Sequence, residues 1–289
     1  MRNRLFPNLD KHTVVMGIIN LTEDSFSGDG LESRPRPVEA ALAQAAQFLS
    51  DGAEILDLGA ESTRPGALEV SAVEEIARLV PAVTAMHQAF PEAVISIDTY
   101  KAPVAQACLE AGAQMINDVW GLQKDPDMAS VVAAAQANVV LMHNRSTKQQ
   151  TELSQLGGRY IGVEYGDLIS AVKAGLHESV ALAHAAGISD DLIILDPGIG
   201  FGKTTEQNLF LVNNLDRLLE MGFPVLLGIS RKSFIGYTLD LPPQDRLEGS
   251  LAANAWGLMK GAGILRVHDV KATVRLARML DAIRNANEF

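Results

Sequence analysis

Three short apolar runs close on residues suited to holding a flat, N–H-rich ring. VISI ends at Asp98, LIIL at Asp196 and MI at Asn117. A buried carboxylate accepts hydrogen bonds from such a ring and stabilises positive charge developing on it. Asparagine adds a donor and an acceptor together, which suits the edge of an amide-like heterocycle. Taken singly, Asp98 before Thr99 and Asp196 before Pro197 could each be a cap or a loop tie. Two aspartates with an asparagine on the strand between them favour a ligand.

A second constellation is cationic. Arg266 and His268 alternate in ILRVH, so an extended strand points both the same way. With Asn20, at the end of VVMGIIN, they make a donor set suited to phosphate, Arg by bidentate contact and His by a further N–H. An Arg266–Asp269 tie is the bland alternative, and it leaves His268 unexplained. Asn20 could also lend an oxygen to Mg2+, which uses few protein ligands and leans on substrate phosphates. His143 ends VVLM and reads as a structural histidine, with no His/Cys/carboxylate set for zinc. The glycines of DPGIGFGK (Gly198, Gly200, Gly202) fit neither a P-loop nor a dinucleotide fingerprint. Close approach of backbone to a flat ligand under Phe201 explains them better. Ser230-Arg231-Lys232-Ser233 follows PVLLGI and sets cations and hydroxyls beside it.

These residues share one address, the carboxyl end of a predicted strand. Strands are expected near 13–19, 53–58, 93–97, 114–118, 138–143, 192–196, 224–229 and 263–267. Val, Ile and Leu dominate them, as in parallel strands buried on both faces. Helices are expected near 37–50, 71–89, 101–111, 126–136, 166–187, 205–219, 245–261 and 270–286. Gly52, Gly112 and Gly187 fall just past helix ends, where a left-handed residue closes a helix. Eight βα units imply an α/β fold, a (β/α)8 TIM barrel with its active site at the carboxyl face. Its βα loops 1, 2 and 5 (20–36, 59–70 and 144–165) are long and are expected to act as mobile lids. No linker or low-complexity stretch interrupts the chain, so residues 1–289 read as one domain.

Composition is consistent with this. The chain is 47% hydrophobic and 20% charged, as expected for a protein with a large core. A net charge of −11 argues against nucleic-acid binding. It leaves room for a local basic pocket built from Arg64, Lys203, Arg231, Lys232 and Arg266. The single cysteine, Cys108, sits in a helical pattern and reads as a buried thiol. No secretory leader or membrane-length apolar run is read, so no membrane partner and a cytoplasmic location are expected.

From about residue 13 to the C-terminus the chain resembles the dihydropteroate synthase family. The matching segments are MGIINLTEDSFSGDG, ILDLGAESTRPGA, ISIDTYK, INDVWGL, LDPGIGFGKTTEQN, LLGISRKSFIG, RLEGSLAANAWG and ILRVHDV. No single segment is decisive; together they are highly specific. The resemblance implies a TIM barrel, usually dimeric, that joins 6-hydroxymethyl-7,8-dihydropterin pyrophosphate to p-aminobenzoate, with Mg2+. It implies catalytic roles for Asp98, Asp196, Lys232, Arg266 and His268. It implies a pterin pocket of Asp98, Asn117, Val119, Met142, Asp196, Phe201, Gly228, Lys232 and Arg266. Asn20, Thr63, Arg266 and His268 would hold pyrophosphate, with Asn20 at the metal. Phe26, Thr63, Arg64, Pro65, Phe201, Lys232 and Ser233 would hold p-aminobenzoate, and Asp24 lies in the same first loop as Phe26.

The chain departs from the family pattern in places. Glu23 replaces the usual proline of the first loop, and Gly28-Asp29-Gly30 alters its tail. Losing Pro raises the entropy that loop ordering must overcome. Strand 5 ends Met-His-Asn-Arg, and 146–165 is longer than usual. Two other readings compete: a methyltetrahydrofolate–corrinoid methyltransferase of the same shape, and a non-catalytic pterin-binding homologue.

Overall fold

The computed structural model describes residues 3–22, 36–61, 69–147, 150–161 and 163–286. The chain runs β1 (Val14–Asn20), α1 (Pro37–Asp51), β2 (Ile55–Gly59), α2 (Ala72–Ala89), β3 (Val94–Asp98) and α3 (Ala102–Glu110). β4 (Met115–Asp118), α4 (Met128–Ala135), β5 (Asn138–Met142), β6 (Thr151–Ser154), β7 (Gly157–Tyr160) and α5 (Leu168–Ala185) follow. The last third holds β8 (Ile193–Asp196), α6 (Thr205–Asn213), α7 (Asp216–Leu219), β9 (Leu226–Leu227) and α8 (Ser233–Leu239). It ends with α9 (Leu247–Met259), β10 (Ile264–Val267) and α10 (Val270–Asn285).

Eight of the strands form one parallel sheet, in the order β8-β5-β4-β3-β2-β1-β10-β9. Its two ends meet: Leu195 bridges Val225, and the Leu195 N–H donates to Pro224 O at 2.9 Å. The sheet is therefore closed, and the expected TIM barrel is what the chain forms. Closure dictates which side chains face inward, because successive residues of a strand alternate sides. One phase packs inside the barrel as an apolar layer of Val14, Met16, Ile55, Met115, Val140, Ile194, Leu226 and Ile264. The N-terminal Phe6 and Leu9 join that layer. The opposite phase packs outward against the helices, as Ile95, Ile97, Ile116, Val139 and Leu141 do. Continuing the inward phase towards the carboxyl ends passes from Ile55 to Asp57, from Val94 to Ser96 and Asp98, from Met115 to Asn117, from Ile194 to Asp196, and from Ile264 to Arg266. The interior thus changes from apolar to ionic along its axis.

The helices are started by local chemistry. Ser71 and Glu74 form a reciprocal capping box on α2, and Thr204 with Gln207 does the same on α6. Gly52 closes α1 at a φ of 101°, as its position suggests. Among the described residues no helix is long and apolar enough to cross a membrane. Cys108 is buried, and burial pushes its thiol up to about 12, so it packs as an inert hydrophobe.

Three expectations need correction, and one further helix was not expected. The segment 144–165 is not simply a loop, because Thr151–Ser154 and Gly157–Tyr160 pair antiparallel as a hairpin. The expected helix 205–219 breaks after Asn213, where the Asn214 side chain bonds back to Phe210 O. Strand 224–229 narrows to Leu226–Leu227. Ser233–Leu239 is a helix that an apolar, glycine-containing sequence did not announce. Outside the barrel, a Cβ on Gly17 would lie 2.5 Å from Phe48 Cδ2 and 3.0 Å from Val270 Cγ2. Gly17→Ala should therefore overpack α1 and α10 against β1 and destabilise by about 1–3 kcal/mol. Urea unfolding with an unchanged m-value is the check.

Candidate active site

The register of the sheet brings the strand-end residues side by side. Asn20 lies opposite Gly59, Gly59 opposite Asp98, and Asp98 opposite Asn117. Across the barrel Met142 lies opposite Asp196. One pleat deeper, Asp57 lies opposite Ser96.

Arg266 ties the two levels together. Its Nε donates to Asp57 Oδ2 at 2.6 Å and its NH2 to Asp98 Oδ2 at 2.6 Å. Asp57 is fully buried, and it also accepts Ser96 Oγ at 2.6 Å and Asn117 Nδ2 at 3.2 Å. Burial works against the Arg266 charge, but Asp57 and Asp98 outweigh it and hold the guanidinium above its usual pKa. Burial pushes the Asp98 carboxyl up; Arg266 opposes that, and the Asp57 charge adds to it. Removing one member of such a set strands a buried charge, which typically costs about 3–5 kcal/mol. Because Asp57 takes the Asn117 NH2, the Asn117 amide oxygen is the end turned from that bond and suited to a ligand N–H.

On the far wall, Asp196 Oδ1 accepts the Gly198 N–H at 2.7 Å, so the loop-tie reading holds for that oxygen. Its Oδ2 lies 3.8 Å from where a Gly228 Cβ would stand, and Arg266 Cβ lies at the same distance, so Gly228 borders both walls. Burial pushes Asp196 up, opposed first by Lys232. Burial pulls Lys232 down to about 8, opposed by Asp196. The Lys232 ammonium bonds Ile199 O and sits 4.7 Å from the Phe201 ring centroid. The Asp196–Phe201–Lys232 wall thus combines a carboxylate, a ring face and a cation. Val119 and Met142 are buried nearby in the sheet's mouth; the Val119 carbonyl accepts Asn144 Nδ2 at 2.9 Å.

His268 is held on the cationic side, where its Nδ1 pairs with Ser230 Oγ at 3.1 Å. Arg266 is drawn instead to the carboxylates. The Arg266–Asp269 tie is not formed; Asp269 takes Arg231, through Nε at 2.9 Å and NH2 at 2.6 Å. Asp24, Phe26, Thr63, Arg64 and Pro65 lie outside the described residues. Asn20 ends β1 half-buried. Among the described residues no three of His, Cys, Asp and Glu gather as a metal group. A single amide oxygen there fits Mg2+ arriving on a diphosphate, which keeps most of its waters.

Two glycines of the β8–α6 loop have a cause in the fold itself. Gly198 has a φ of 70°, and a Cβ on it would lie 1.9 Å from His143 O. Gly202 would collide with the Arg145 backbone at 2.4 Å. Gly198 and Gly202 let this loop pass against the end of β5, whereas a Cβ on Gly200 would lie 3.1 Å from Lys232 Cδ. Lys203, buried beneath it, donates to Gly198 O at 2.9 Å, Phe201 O at 3.0 Å and His143 O at 3.4 Å. Burial pulls its ammonium down to about 7. His143 is buried and neutral, its pKa driven to about 3 chiefly by burial. Among the described residues its Nδ1 has no partner, so it is structural but not fully satisfied. Asp57 and Ser96 were not singled out as site residues from sequence, and Lys203, expected in a basic pocket, is spent on backbone carbonyls under the loop. The available signal was Asp57 inside the apolar run ILDLG, two residues before Gly59 and so in the inward phase.

The pterin binding enzyme family matches residues 16–268. A dihydropteroate synthase of Clostridium beijerinckii is 46% identical over 277 residues, covering 96% of each chain. The crystal structure of the Yersinia pestis dihydropteroate synthase with a sulfonamide drug superposes with a TM-score of 0.88 at 39% identity, covering 96% of each chain. That of Xanthomonas albilineans with 4-aminobenzoic acid gives 0.84 at 39% identity, covering 96% of this chain and 95% of the other.

The buried charges set a pH signature for stability. Asp98 has a raised pKa when folded, so the folded state binds more protons than the unfolded one. Ligand-free protein should lose stability through Asp98 as pH rises from the ordinary carboxylate range towards neutrality. Lys203 has a lowered pKa, so the folded state binds fewer protons between about 7 and its usual value, and stability should recover there. Denaturation series across pH should show the acid-side slope flattened in Asp98→Asn and the alkaline-side slope flattened in Lys203→Met.

Proposed function

The chain belongs to the pterin-binding enzymes and, among them, to the dihydropteroate synthases of folate biosynthesis; we propose that it works by dissociative substitution in the mouth described above. Dihydropteroate synthases join 6-hydroxymethyl-7,8-dihydropterin pyrophosphate to p-aminobenzoate, giving 7,8-dihydropteroate and pyrophosphate. The observation that carries the mechanism is the pair of buried carboxylates, Asp98 and Asp196, ending strands on different sides of the barrel mouth, each beside a cation.

In this reading the pterin ring lies between those walls. Asp98, Asn117 and Asp196 accept its N–H groups, Lys232 meets its polar edge, and Val119, Met142, Phe201 and Gly228 give the flat space. The bond between the pterin methylene and the diphosphate oxygen breaks first, and its electron pair leaves with pyrophosphate. Asp98 and Asp196 stabilise the conjugated cation that remains. The aryl amine then bonds that carbon and loses a proton. An aryl amine is a weak nucleophile, so forming the electrophile first lowers the demand on it. Asn20, Thr63, His268 and Arg266 bind the pyrophosphate, with Arg266 exchanging a carboxylate for phosphate oxygen as the ligand enters. Asn20 would hold Mg2+, which when bound neutralises the leaving group. Phe26, Thr63, Arg64 and Pro65, with Phe201, Lys232 and Ser233, make the amine site.

The working form in this reading is a cytoplasmic homodimer acting on small molecules. The exposed apolar side chains of α6 and α9 support that: Phe210 is 50% exposed, Trp256 45% and Met259 73%. Large side chains so exposed on adjacent helices suit a second copy of the chain.

Pyrophosphate release should require both substrates together. No release with both substrates present would favour the non-catalytic or methyltransferase readings, neither of which breaks the diphosphate bond. Asp98→Asn keeps the shape and removes the charge; turnover should fall by about 100-fold or more while the protein stays folded. Wild-type turnover in that variant would remove Asp98 from the mechanism. By calorimetry, p-aminobenzoate should bind only with pyrophosphate and Mg2+ present, and tight binding to the free protein would contradict the ordered site.

A further inference from the structure

The hairpin of β6 and β7 leans on the turn that carries Lys232 and Ser233. A Cβ on Gly157 would stand 3.6 Å from Ser233 Cβ. Tyr237 of α8 reaches the hairpin twice: its hydroxyl donates to Gly157 O at 3.1 Å and pairs with Ser154 Oγ at 2.6 Å. Arg159 of β7 is paired with Glu152 and lies 4.5 Å from the Tyr237 ring centroid. One face of α8 is thus covered by the hairpin.

Arg246 makes the deeper connection. It is only 2% exposed, yet among the described residues no carboxylate pairs with it. Three backbone carbonyls carry its charge instead. Its NH2 donates to Leu156 O at the hairpin tip at 2.9 Å and to Leu241 O at 3.0 Å. Its NH1 donates to Arg231 O at 3.0 Å. Gly236 makes the passage possible, since a Cβ there would lie 2.0 Å from the same guanidinium. Burying a cation this way is costly unless its donors are satisfied. What it secures is a strained turn: Arg231 is a non-glycine residue at a φ of 57°. Asp269 holds the Arg231 side chain, Ser250 Oγ accepts its N–H at 3.0 Å, and Arg246 holds its carbonyl. Hairpin tip and turn therefore share one anchor.

We infer that the hairpin of residues 151–160 is a selectivity element for the aryl amine. It forms the outer wall beside Ser233, and through Arg246 and Tyr237 it fixes the turn that places Lys232 and Ser233. The inference rests on the reading that Lys232 and Ser233 meet the amine, and it adds a structure that decides which amines fit. Arg246 and Tyr237 are positioning residues in it.

The test uses the full chain with residues 151–160 replaced by a short Gly–Ser turn, and separately Tyr237→Phe, which keeps the ring and deletes only the hydroxyl. KM for p-aminobenzoate and for the pterin diphosphate are measured in both, with relative kcat/KM for p-aminobenzoate against a bulkier ring-substituted aminobenzoate. Loss of one to two hydrogen bonds at this anchor should raise the amine KM about tenfold in the replacement and about two- to threefold in Tyr237→Phe. The pterin KM should stay within about twofold of the parent, and rejection of the bulkier amine should weaken. An unchanged amine KM and unchanged rejection in the folded variants would overturn the inference; so would equal rises in both KM values, which a merely structural role would give. If the replacement does not fold, Tyr237→Phe decides. Parent protein that releases no pyrophosphate with p-aminobenzoate would sink the functional reading itself, and this inference with it; an active parent with unaffected variants sinks only the inference.

Discussion

The guanidinium of Arg266 between Asp57 and Asp98 is the interaction on which the mouth of this barrel depends. Two carboxylates cannot stay charged and close in a low-dielectric interior without a cation between them. Arg266 supplies it in a planar fork that reaches both, one at each level of the barrel. Asp57 then orients Asn117 and Ser96, so the ion pair also sets which end of the asparagine amide faces the cavity. A lysine could supply the charge there, but as a single ammonium point rather than a rigid fork whose separate nitrogens meet the two levels.

The same problem is solved differently under the loops. Lys203 and Arg246 are buried cations held by backbone carbonyls, Lys203 by two of its own loop and the distant His143, Arg246 by the turn and the distant hairpin tip. Carbonyl dipoles offer less attraction than a carboxylate, so burial still lowers both pKa values. In exchange each cation ties loops whose own sequences would not hold them in place. Lys203 fixes the loop bearing Phe201, and Arg246 the turn bearing Lys232. Rigidity at the mouth comes from these ties, from the closed sheet beneath and from the Arg266 ion set.

Much of this was legible in the chain. Asp98, Asn117, Asp196, Arg266 and His268 could be read because each ends a short apolar run, and parallel strands place such ends on one face. The period-2 phase inside each run also points inward for Asp57, which shares a face with Ile55 and Gly59. The hairpin 151–160 was not legible. Its strands are short and partly exposed, with Gly157-Gly158 at the start of the second, and they gain their order by leaning on α8. The need for Gly198 and Gly202 was not legible for a related reason: the backbone they avoid follows the end of β5, a neighbour only after the barrel closes.

By itself the sequence determined the repeat of strand and helix, the inward and outward faces of each strand, and the set of residues brought to the carboxyl end. These follow from local propensity and from alternation along a strand, which need no knowledge of distant partners. Only the tertiary structure decided who pairs with whom: Arg266 with Asp57 and Asp98 rather than Asp269, Arg231 with Asp269, and Arg246 with the hairpin tip. Those choices turn on distances across a closed barrel, and a charge selects its partner by proximity and burial, neither of which exists until the ends of the sheet have met.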